Sequence, residues 1–440
     1  MSATATQTAS ADTSHSHRAF FRQSGWLMTA NVVAGVLSWA VHFLNKKIPD
    51  AEYSNFGTLL MVTACVPTLP LQMVFAHQAA QALALHRERQ LAGMVRLTVF
   101  WLALLWLAIA LGVLALQSAI VTRWQVPLAG LWITMFSVLI GLLAPMFVGL
   151  QQGKQDFLGM GWGMILGGFG RIAAAAILVL GFACGASGMI AGALIGGTVM
   201  AGIAFWRTRD LWAHRPEPFD ARASLGQIVP LMLGFGACQF LFTADTVFAK
   251  AFFSGEEMKP YVAAGTLSRA LLWAVLPLAA VMFPKLVRGH ARAEKTSLLG
   301  IVALGTGALT VCGMLALWLA GPWVVAFVYK SGDVAGVMRL LPWYAGAMIP
   351  LALANVFVND LLARNRFGIV VPALLLAVAY GVTLVQVLHR FPGRLEVVLQ
   401  TLGAFNLLLL LVSAGLARFG RALPDVRPKE PPAPIPSPPI

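Results

Sequence analysis

The sequence predicts an all-α protein that crosses a membrane about twelve times, with its helices arranged as two lobes of six. Of the 440 residues, 59% are hydrophobic and only 11% are charged, whereas a soluble domain carries about 25% charged residues. A soluble fold of this length could not cover its surface with so few charges. The apolar residues also form long runs, and about 20 residues are enough for a helix to cross a bilayer. These features exclude an ordinary soluble enzyme, a disordered scaffold and a disulfide-rich secreted module.

Twelve apolar runs can be assigned along the chain, and their length favours membrane-spanning helices over buried strands. The first six cover residues 25–44, 55–81, 97–117, 127–148, 158–182 and 185–206. The second six cover residues 226–252, 261–284, 297–319, 336–362, 367–388 and 397–417. We therefore predict five segments, which are a disordered tail at 1–24, a six-helix lobe at 25–206, a linker at 207–225, a second lobe at 226–418 and a Pro-rich tail at 419–440.

The distribution of Lys and Arg predicts the orientation, because the cytoplasmic loops of membrane proteins carry an excess of these residues. With the N-terminus inside, 20 of the 31 basic residues fall in cytoplasmic segments and 8 in outer segments. Both termini and the linker are therefore predicted to be cytoplasmic. The same distribution accounts for the net charge of +14 without nucleic acid as a partner.

The two predicted lobes resemble each other at an offset of 208 residues. Five identities occur around the second helix of each lobe, and they are Tyr53/Tyr261, Gly57/Gly265, Thr58/Thr266, Leu59/Leu267 and Phe75/Phe283. Chance similarity between two apolar helices is the alternative. Because each lobe has an even number of helices, a true repeat would be parallel, with its axis along the membrane normal. Parallel two-lobe transporters bind their substrates between the lobes, near the midplane of the membrane.

An ionisable side chain within the membrane is costly, so each one is a candidate functional residue. Arg171 lies near the middle of the fifth run without an obvious acidic partner, which favours an anionic ligand held by its guanidinium group. Asp245 and Arg269 lie at similar depth on adjacent helices, where they are either a structural ion pair or functional groups. Asp360 lies near the cytoplasmic end of the tenth run beside Arg364, as is typical of a charge at the membrane interface.

Prolines occur at matching places in the two lobes, at Pro67 and Pro70 in the second run and at Pro277 in the eighth. A proline inside a helix removes a backbone hydrogen bond and bends the helix. The bends are either hinges for movement between the lobes or static features, and the sequence leaves both interpretations open.

Glycines spaced four residues apart predict that the fifth and sixth helices approach each other closely. They are Gly163 and Gly167 in the fifth run and Gly188, Gly192 and Gly196 in the sixth. The glycines of the fifth run do not follow a strand and do not form the GxGxxG pattern of a dinucleotide site. The four cysteines form neither a zinc motif nor a disulfide framework. We therefore predict no cofactor, no metal site and no catalytic residue.

Four stretches of sequence resemble a known group of transporters. They are AEYSNFGTLL after the first helix, GLQQGKQDF between helices four and five, TADTVFAKAFFSGEEMKPYVAAGTLSRA across helices seven and eight, and PLAAVMFPKL at the end of helix eight. In their order and spacing they resemble the polysaccharide-type flippases of the multidrug/oligosaccharidyl-lipid/polysaccharide exporter superfamily. The resemblance extends over nearly the whole chain, from about residue 25 to residue 415.

This resemblance implies a MATE-like fold in the bacterial inner membrane, with a cavity that opens alternately to each side. The implied substrate is an oligosaccharide linked through pyrophosphate to a polyprenol, which is moved from the cytoplasmic to the outer leaflet. Membrane lipid, a polysaccharide polymerase and glycosyltransferases are the further partners that it implies. Arg171 and Arg269 match positions where basic residues hold the pyrophosphate, and Asp245 matches a recurrent acidic position.

Two alternatives to a flippase follow from the same sequence. The first is a proton- or cation-coupled multidrug antiporter of the same fold, with Asp245 or Asp360 as its exchange site. The second is a membrane glycan polymerase or ligase, which would be expected to carry a large outer loop with catalytic residues. No predicted outer loop is longer than about 17 residues. We therefore expect a transporter and not an enzyme.

Overall fold

The computed structural model of the chain describes residues 22–419, apart from short gaps at 50–51, 53–54, 57–58, 61, 64–65, 125, 219–220, 253–254, 292–297 and 329–333. The predicted tails at 1–24 and 419–440 lie almost entirely outside the described residues. So do Tyr53, Gly57 and Thr58, three of the residues by which the repeat was predicted.

The described residues fold almost entirely into helices, and none of them forms a strand. The first half of the chain forms α1 Arg22–Leu44, α2 Thr68–Ala84, α3 Glu88–Trp124, α4 Leu128–Gly153, α5 Phe157–Gly181 and α6 Gly185–Arg207. The second half forms α7 Ala221–Phe252, α8 Gly255–Ala291, α9 Leu298–Val328, α10 Val334–Ala363, α11 Val370–Arg390 and α12 Leu395–Phe419. All but α2 contain a stretch that is long and apolar enough to cross a membrane. The predicted all-α class with about twelve helices is confirmed.

Several helices extend beyond the predicted apolar runs. Helix α3 covers Glu88–Trp124 and α8 covers Gly255–Ala291, so each begins and ends several residues outside its run. The reason is that hydropathy detects only the segment in contact with hydrocarbon, whereas helical hydrogen bonding continues into the polar ends. The predicted linker at 207–225 contains a short helix, Arg209–Trp212, and the first turn of α7.

The helices form two lobes, because most of the packing is within each half of the chain. In the first lobe α6 packs against α4 and α5, and α2 packs against α4. In the second lobe α10 packs against α8, α9 and α12, and α7 packs against α11. Contacts between the lobes are made by α2 with α7 and α8, and by α4 with α8. We call the side of the bundle where α1 begins and α12 ends the terminal face, and the other side the opposite face.

The repeat is visible in the backbone as well as in the sequence. The turn between α4 and α5 contains Gln155 with φ 64°, and the turn before α11 contains Asn365 with φ 56°. The turn between α5 and α6 contains Ala183 with φ 51°, and the turn between α11 and α12 contains Gly393 with φ 82°. Both pairs are separated by 210 residues, two more than the offset of 208 at the second helix of each lobe. Because left-handed residues are uncommon outside glycine, their recurrence at one spacing supports a parallel repeat.

Apolar side chains cover the outside of the bundle, where a soluble protein would place polar ones. Helices α3 and α9 expose large hydrophobic residues that include Trp101, Leu116, Leu304 and Trp323. An exposed apolar surface of this extent is stable against lipid and would aggregate in water. The bundle is therefore built for a bilayer.

The close approach of α5 and α6 that the glycine spacing predicts is confirmed at Gly192 and Gly196. A Cβ atom on Gly196 would lie 2.4 Å from the carbonyl oxygen of Gly167, and one on Gly192 would lie 2.6 Å from the carbonyl oxygen of Arg171. Gly163 differs, because the nearest atom to a Cβ there would be Cγ2 of Ile203, at 3.6 Å, which is an ordinary van der Waals distance. Only part of the glycine series is therefore required for the contact.

Candidate functional site

A cavity of about 180 Å³ lies between the two lobes and is lined by helices of both. Five of its lining residues carry amide side chains, and they are Asn31 on α1, Gln72 on α2, Gln152 on α4, and Asn355 and Asn359 on α10. The other lining residues are apolar or aromatic and include Trp273 and Pro277 on α8. None of the lining residues carries an ionisable side chain. The cavity is thus uncharged and mainly apolar, with the five amides as its polar side chains.

Hydrogen bonds of these amides join the lobes across the cavity. Gln152 donates from Nε2 to the carbonyl oxygen of Ala280, at 2.9 Å, and accepts at Oε1 from Nε2 of Gln72, at 2.8 Å. Asn31 donates from Nδ2 to the carbonyl oxygen of Trp273, at 2.8 Å. Amides suit this position because each can both donate and accept hydrogen bonds.

Further contacts join the lobes closer to the terminal face. Arg288, near the end of α8, donates from Nη2 to the carbonyl oxygen of Gly153 at the end of α4, at 2.7 Å. Gln78 on α2 donates from Nε2 to Oε1 of Gln227 on α7, at 3.2 Å. The lobes are therefore held together on the terminal side of the cavity.

A second polar centre lies inside the second lobe, around Asp245. This carboxylate is completely buried. Its Oδ1 accepts a hydrogen bond from Nη2 of Arg269 at 2.7 Å, and its Oδ2 accepts from the hydroxyls of Tyr261, at 2.8 Å, and of Tyr344. Arg269 also donates to Oγ1 of Thr246 at 2.7 Å. The structure thus brings Asp245 and Arg269 together as a buried ion pair whose partners are further hydrogen-bonded.

The tyrosines of this centre were missed by sequence reasoning. Tyr380 on α11 interacts electrostatically with Asp245, and its buried hydroxyl has no hydrogen-bond partner among the described residues. A signal existed, because the chain has only five tyrosines and Tyr261, Tyr344 and Tyr380 all fall in the second lobe. A tyrosine in an apolar run is more often an interfacial residue, so the signal is weak without the fold.

Arg171 lies in the first lobe, away from the Asp245 centre. Its backbone packs against Gly196 of α6, and its charge acts on the nearby His42 at the end of α1. Nε of Arg171 is buried and has no hydrogen-bond partner among the described residues. Arg171 and Arg269 are thus in different lobes, and neither is among the residues that line the cavity. The structure does not bring the two predicted anion-binding residues into one site.

Asp360 and the three prolines complete the predicted site residues. Oδ1 of Asp360 accepts a hydrogen bond from Nε of Arg364 at 2.9 Å, near the terminal end of α10. Pro67 immediately precedes α2 and Pro70 lies in its first turn, so the second span is interrupted there. Pro277 lies inside the continuous helix α8 and lines the cavity.

The GLQQGKQDF stretch forms a tight connection at the terminal face. Asp156 caps α5 by accepting from the backbone N–H of Gly159 at 3.2 Å, and it accepts from Nε and Nη2 of Arg207 at 2.7 and 2.8 Å. Burial by itself raises the pKa of Asp156. The hydrogen bonds from Arg207, Gln151 and Gly159 outweigh burial and hold the pKa of this carboxyl below its usual value. Lys154 pairs with Asp210 of the short helix, so this motif fixes the connection between α4, α5 and α6.

Comparison with known proteins identifies the fold. No protein-family model matches the chain, and no curated protein matches it. A MATE protein in the straight conformation has a TM-score of 0.75 at 12% identity, covering 91% of this chain and 95% of that one. An outward-facing multidrug resistance MATE family transporter of the MOP superfamily has a TM-score of 0.73 at 12% identity, covering 91% of this chain and 94% of that one. A mutant of the Vibrio cholerae MATE transporter VcmN has a TM-score of 0.72 at 14% identity, covering 91% of this chain and 95% of that one. The chain therefore has the MATE fold.

Proposed function

We propose that this chain is a member of the MOP superfamily that moves a polyprenyl-pyrophosphate-linked oligosaccharide from the cytoplasmic to the outer leaflet. The observation that carries the proposal is the uncharged, amide-rich cavity between the two lobes. A cavity lined by both lobes is the place where movement of one lobe against the other would expose a substrate to either side in turn. We place both termini in the cytoplasm, as the distribution of Lys and Arg predicts.

The chemistry of the cavity favours a lipid-linked sugar over a cationic drug. A cation bound in a site shielded from water is stabilised most by a carboxylate that neutralises its charge. The lining residues of this cavity include amides, methionines and aromatic groups but no carboxylate. Hydroxyl groups of a sugar, in contrast, exchange hydrogen bonds with amides without any charge.

Arg171 is our candidate for binding the pyrophosphate. Its Nε is buried without a hydrogen-bond partner among the described residues, so part of its hydrogen-bonding capacity is free for an anion. Arg269 is already committed to Asp245 and is the weaker candidate. In this proposal the pyrophosphate reaches Arg171 in the first lobe while the sugars occupy the cavity.

Deletion of the gene followed by extraction of membrane lipids tests the proposal. We expect polyprenyl-pyrophosphate oligosaccharide to accumulate on the cytoplasmic side, and a plasmid copy of the gene to reverse the accumulation. The Arg171→Ala variant should be produced and inserted normally but should fail to reverse it, whereas Arg171→Lys should reverse it partly. A normal lipid pool in the deletion strain would contradict the proposed function.

A cation-coupled multidrug antiporter is the second candidate, and the buried carboxylate of Asp245 is the observation in its favour. One of the solved structures with this fold is a multidrug resistance transporter. This candidate predicts that vesicles containing the purified chain export a cationic dye when a proton or sodium gradient is applied. Export that is equal with and without the gradient, and equal to that of empty vesicles, would exclude it.

A further inference from the structure

We propose that Asn359 and the amides around it form the site that recognises an uncharged, hydroxyl-bearing sugar ring, with Asn359 as the residue that determines specificity. This inference rests on the proposed function, because it assigns one part of the substrate to one part of the cavity. It differs from binding of the pyrophosphate, which we attribute to Arg171.

The side-chain amide of Asn359 is held by Asn355, one turn earlier on α10. Its Nδ2 donates to the carbonyl oxygen and to Oδ1 of Asn355, at 2.7 and 2.8 Å. Because both partners are oxygens, the orientation of the amide is fixed. Its own Oδ1 has no hydrogen-bond partner among the described residues, although the residue is only 3% exposed.

Oδ1 of Asn359 is an acceptor that the described residues leave unsatisfied. A buried acceptor without a donor costs free energy in the folded protein. Asn359 lines the cavity, and its Oδ1 is enclosed by protein in this conformation. A ligand therefore supplies the missing donor when the cavity widens as the lobes move apart. The required donor is uncharged in a cavity without any charged group, and a sugar hydroxyl meets this requirement.

Trp273 and Gln152 line the same cavity as Asn359. Trp273 is half exposed, so its ring offers an apolar surface to the C–H face of a sugar. Gln152 is fully buried, and its amide is already bonded to Ala280 and Gln72. Because Gln152 holds the lobes together while Asn359 has a free acceptor, the two residues have different tasks. Asn359 and Trp273 are the groups that contact the sugar.

Asn406 provides a matched control. It is also a buried asparagine of the second lobe whose Oδ1 has no partner among the described residues. Its Nδ2 donates to the carbonyl oxygen of Ala347, and it is not among the residues that line the cavity. Asn406 thus has the same chemistry without access to a ligand in the cavity.

The test measures ligand-induced shifts in the melting temperature of the full purified chain in a zwitterionic detergent. The probes are a panel of uncharged trisaccharides, inorganic pyrophosphate and tetraphenylphosphonium. We expect at least one trisaccharide to stabilise the wild type and the Asn406→Leu variant. Asn359→Leu should weaken its binding about tenfold, the factor that corresponds to one lost hydrogen bond. Trp273→Leu is a second variant, which should also weaken binding of the trisaccharide.

Three outcomes would overturn the inference. They are stabilisation by no trisaccharide, equal loss of trisaccharide binding in Asn359→Leu and Asn406→Leu, and a response to tetraphenylphosphonium or pyrophosphate that depends on Asn359. The failure of the proposed function is a separate result, because it appears as a normal lipid pool in the deletion strain. If the trisaccharide binds but the deletion strain has a normal lipid pool, the inference of a sugar site stands and the proposed flippase function is excluded.

Discussion

The carboxylate of Asp245 shows how a charged residue can be kept inside a membrane-embedded lobe. It is fully buried, and it survives there because Arg269 neutralises it and two tyrosine hydroxyls occupy its second oxygen. Burial of an ion pair is tolerated only when both partners are present and hydrogen-bonded. Their equal depth on adjacent helices made an ion pair one of the two interpretations of the sequence, and the two side chains are in contact in the structure.

Removing one member of this pair should therefore lower the free energy of unfolding more than removing both. We expect Asp245→Asn to lower the free energy of unfolding by about 3–5 kcal/mol, because Arg269 is left as an unpaired buried charge. The double variant Asp245→Leu/Arg269→Met should recover most of that loss. Thermal unfolding in detergent measures both effects. Equal destabilisation by the single and double variants would contradict the structural role of the pair.

We predict that the stability of the protein depends on pH through the carboxyl group of Asp156. Its pKa is lower in the folded protein than the ordinary value of an aspartate, so the ionised form stabilises the fold. That contribution is complete above the pKa of the unfolded state, about 3.9, and is lost as the pH falls through the lower pKa of the folded state.

The pH prediction is measured by thermal unfolding of the wild type and the Asp156→Asn variant between about pH 2 and pH 7. The wild type should be the more stable of the two near neutral pH, and the difference should shrink only below about pH 4. A difference that is constant over the whole range would show that Asp156 contributes through its neutral form.

At the level of helices, the sequence could predict which segments are helical but not where they end. The apolar runs mark the hydrocarbon-facing parts, and α3 continues from Glu88 to Trp124 because its flanking polar residues are also compatible with helix. The interruption before α2 is a different case. Pro67 and Pro70 were expected to bend a continuous helix, but α2 begins only after Pro67, where the proline lacks the N–H that the preceding turn would need.

The two turns that precede the last helix of each lobe offer a matched pair of substitutions. Ala183 adopts φ 51° and Gly393 adopts φ 82°, a region that costs an L-residue about 1–2 kcal/mol. We expect Ala183→Gly to stabilise the protein by about 0.5 kcal/mol, because the relief of strain exceeds the added entropy of the unfolded chain. Gly393→Ala should destabilise it by about 1 kcal/mol.

Both variants are suited to the test because the two turns are exposed and nothing lies within 4 Å of a Cβ atom on Gly393. Only the backbone conformation is therefore changed there. Thermal or chemical unfolding of the two variants measures the effect. If Ala183→Gly and Gly393→Ala changed the stability in the same direction, the turns would not be structural equivalents.

For the whole molecule, the two-lobe arrangement was predictable because hydropathy indicates where the helices cross the membrane and the distribution of Lys and Arg indicates on which side each loop lies. The cavity was not predictable from the sequence, because its residues carry no charge to attract attention. Asn31, Gln152 and Asn359 come from helices far apart in the chain, and an amide in an apolar run indicates no particular partner. The charged side chains of the apolar runs, in contrast, include Arg171 and Asp245, each of which lies within a single lobe.

The last prediction concerns the contacts between the lobes and the movement that the proposed transport would require. Arg288 joins the two lobes on the terminal side, where it donates to the carbonyl oxygen of Gly153 in the other lobe. If the lobes separate at this face during the cycle, that hydrogen bond is broken in the alternative conformation. Its removal should then shift the population towards the conformation that is open at the terminal face.

A reporter cysteine placed at Ala280, which lines the cavity, measures this shift in a background without the four native cysteines. We expect Arg288→Ala to increase the rate of labelling by a membrane-impermeant maleimide in inside-out vesicles by about 5- to 10-fold, the effect of about 1–1.5 kcal/mol. Arg366→Ala is the control, because Arg366 donates to Ala417 within its own lobe and should leave the rate unchanged. Equal labelling rates in the wild type and both variants would mean that the Arg288 contact does not hold the terminal face closed. A similar increase in both variants would indicate a general loosening of the fold and not a separation of the lobes.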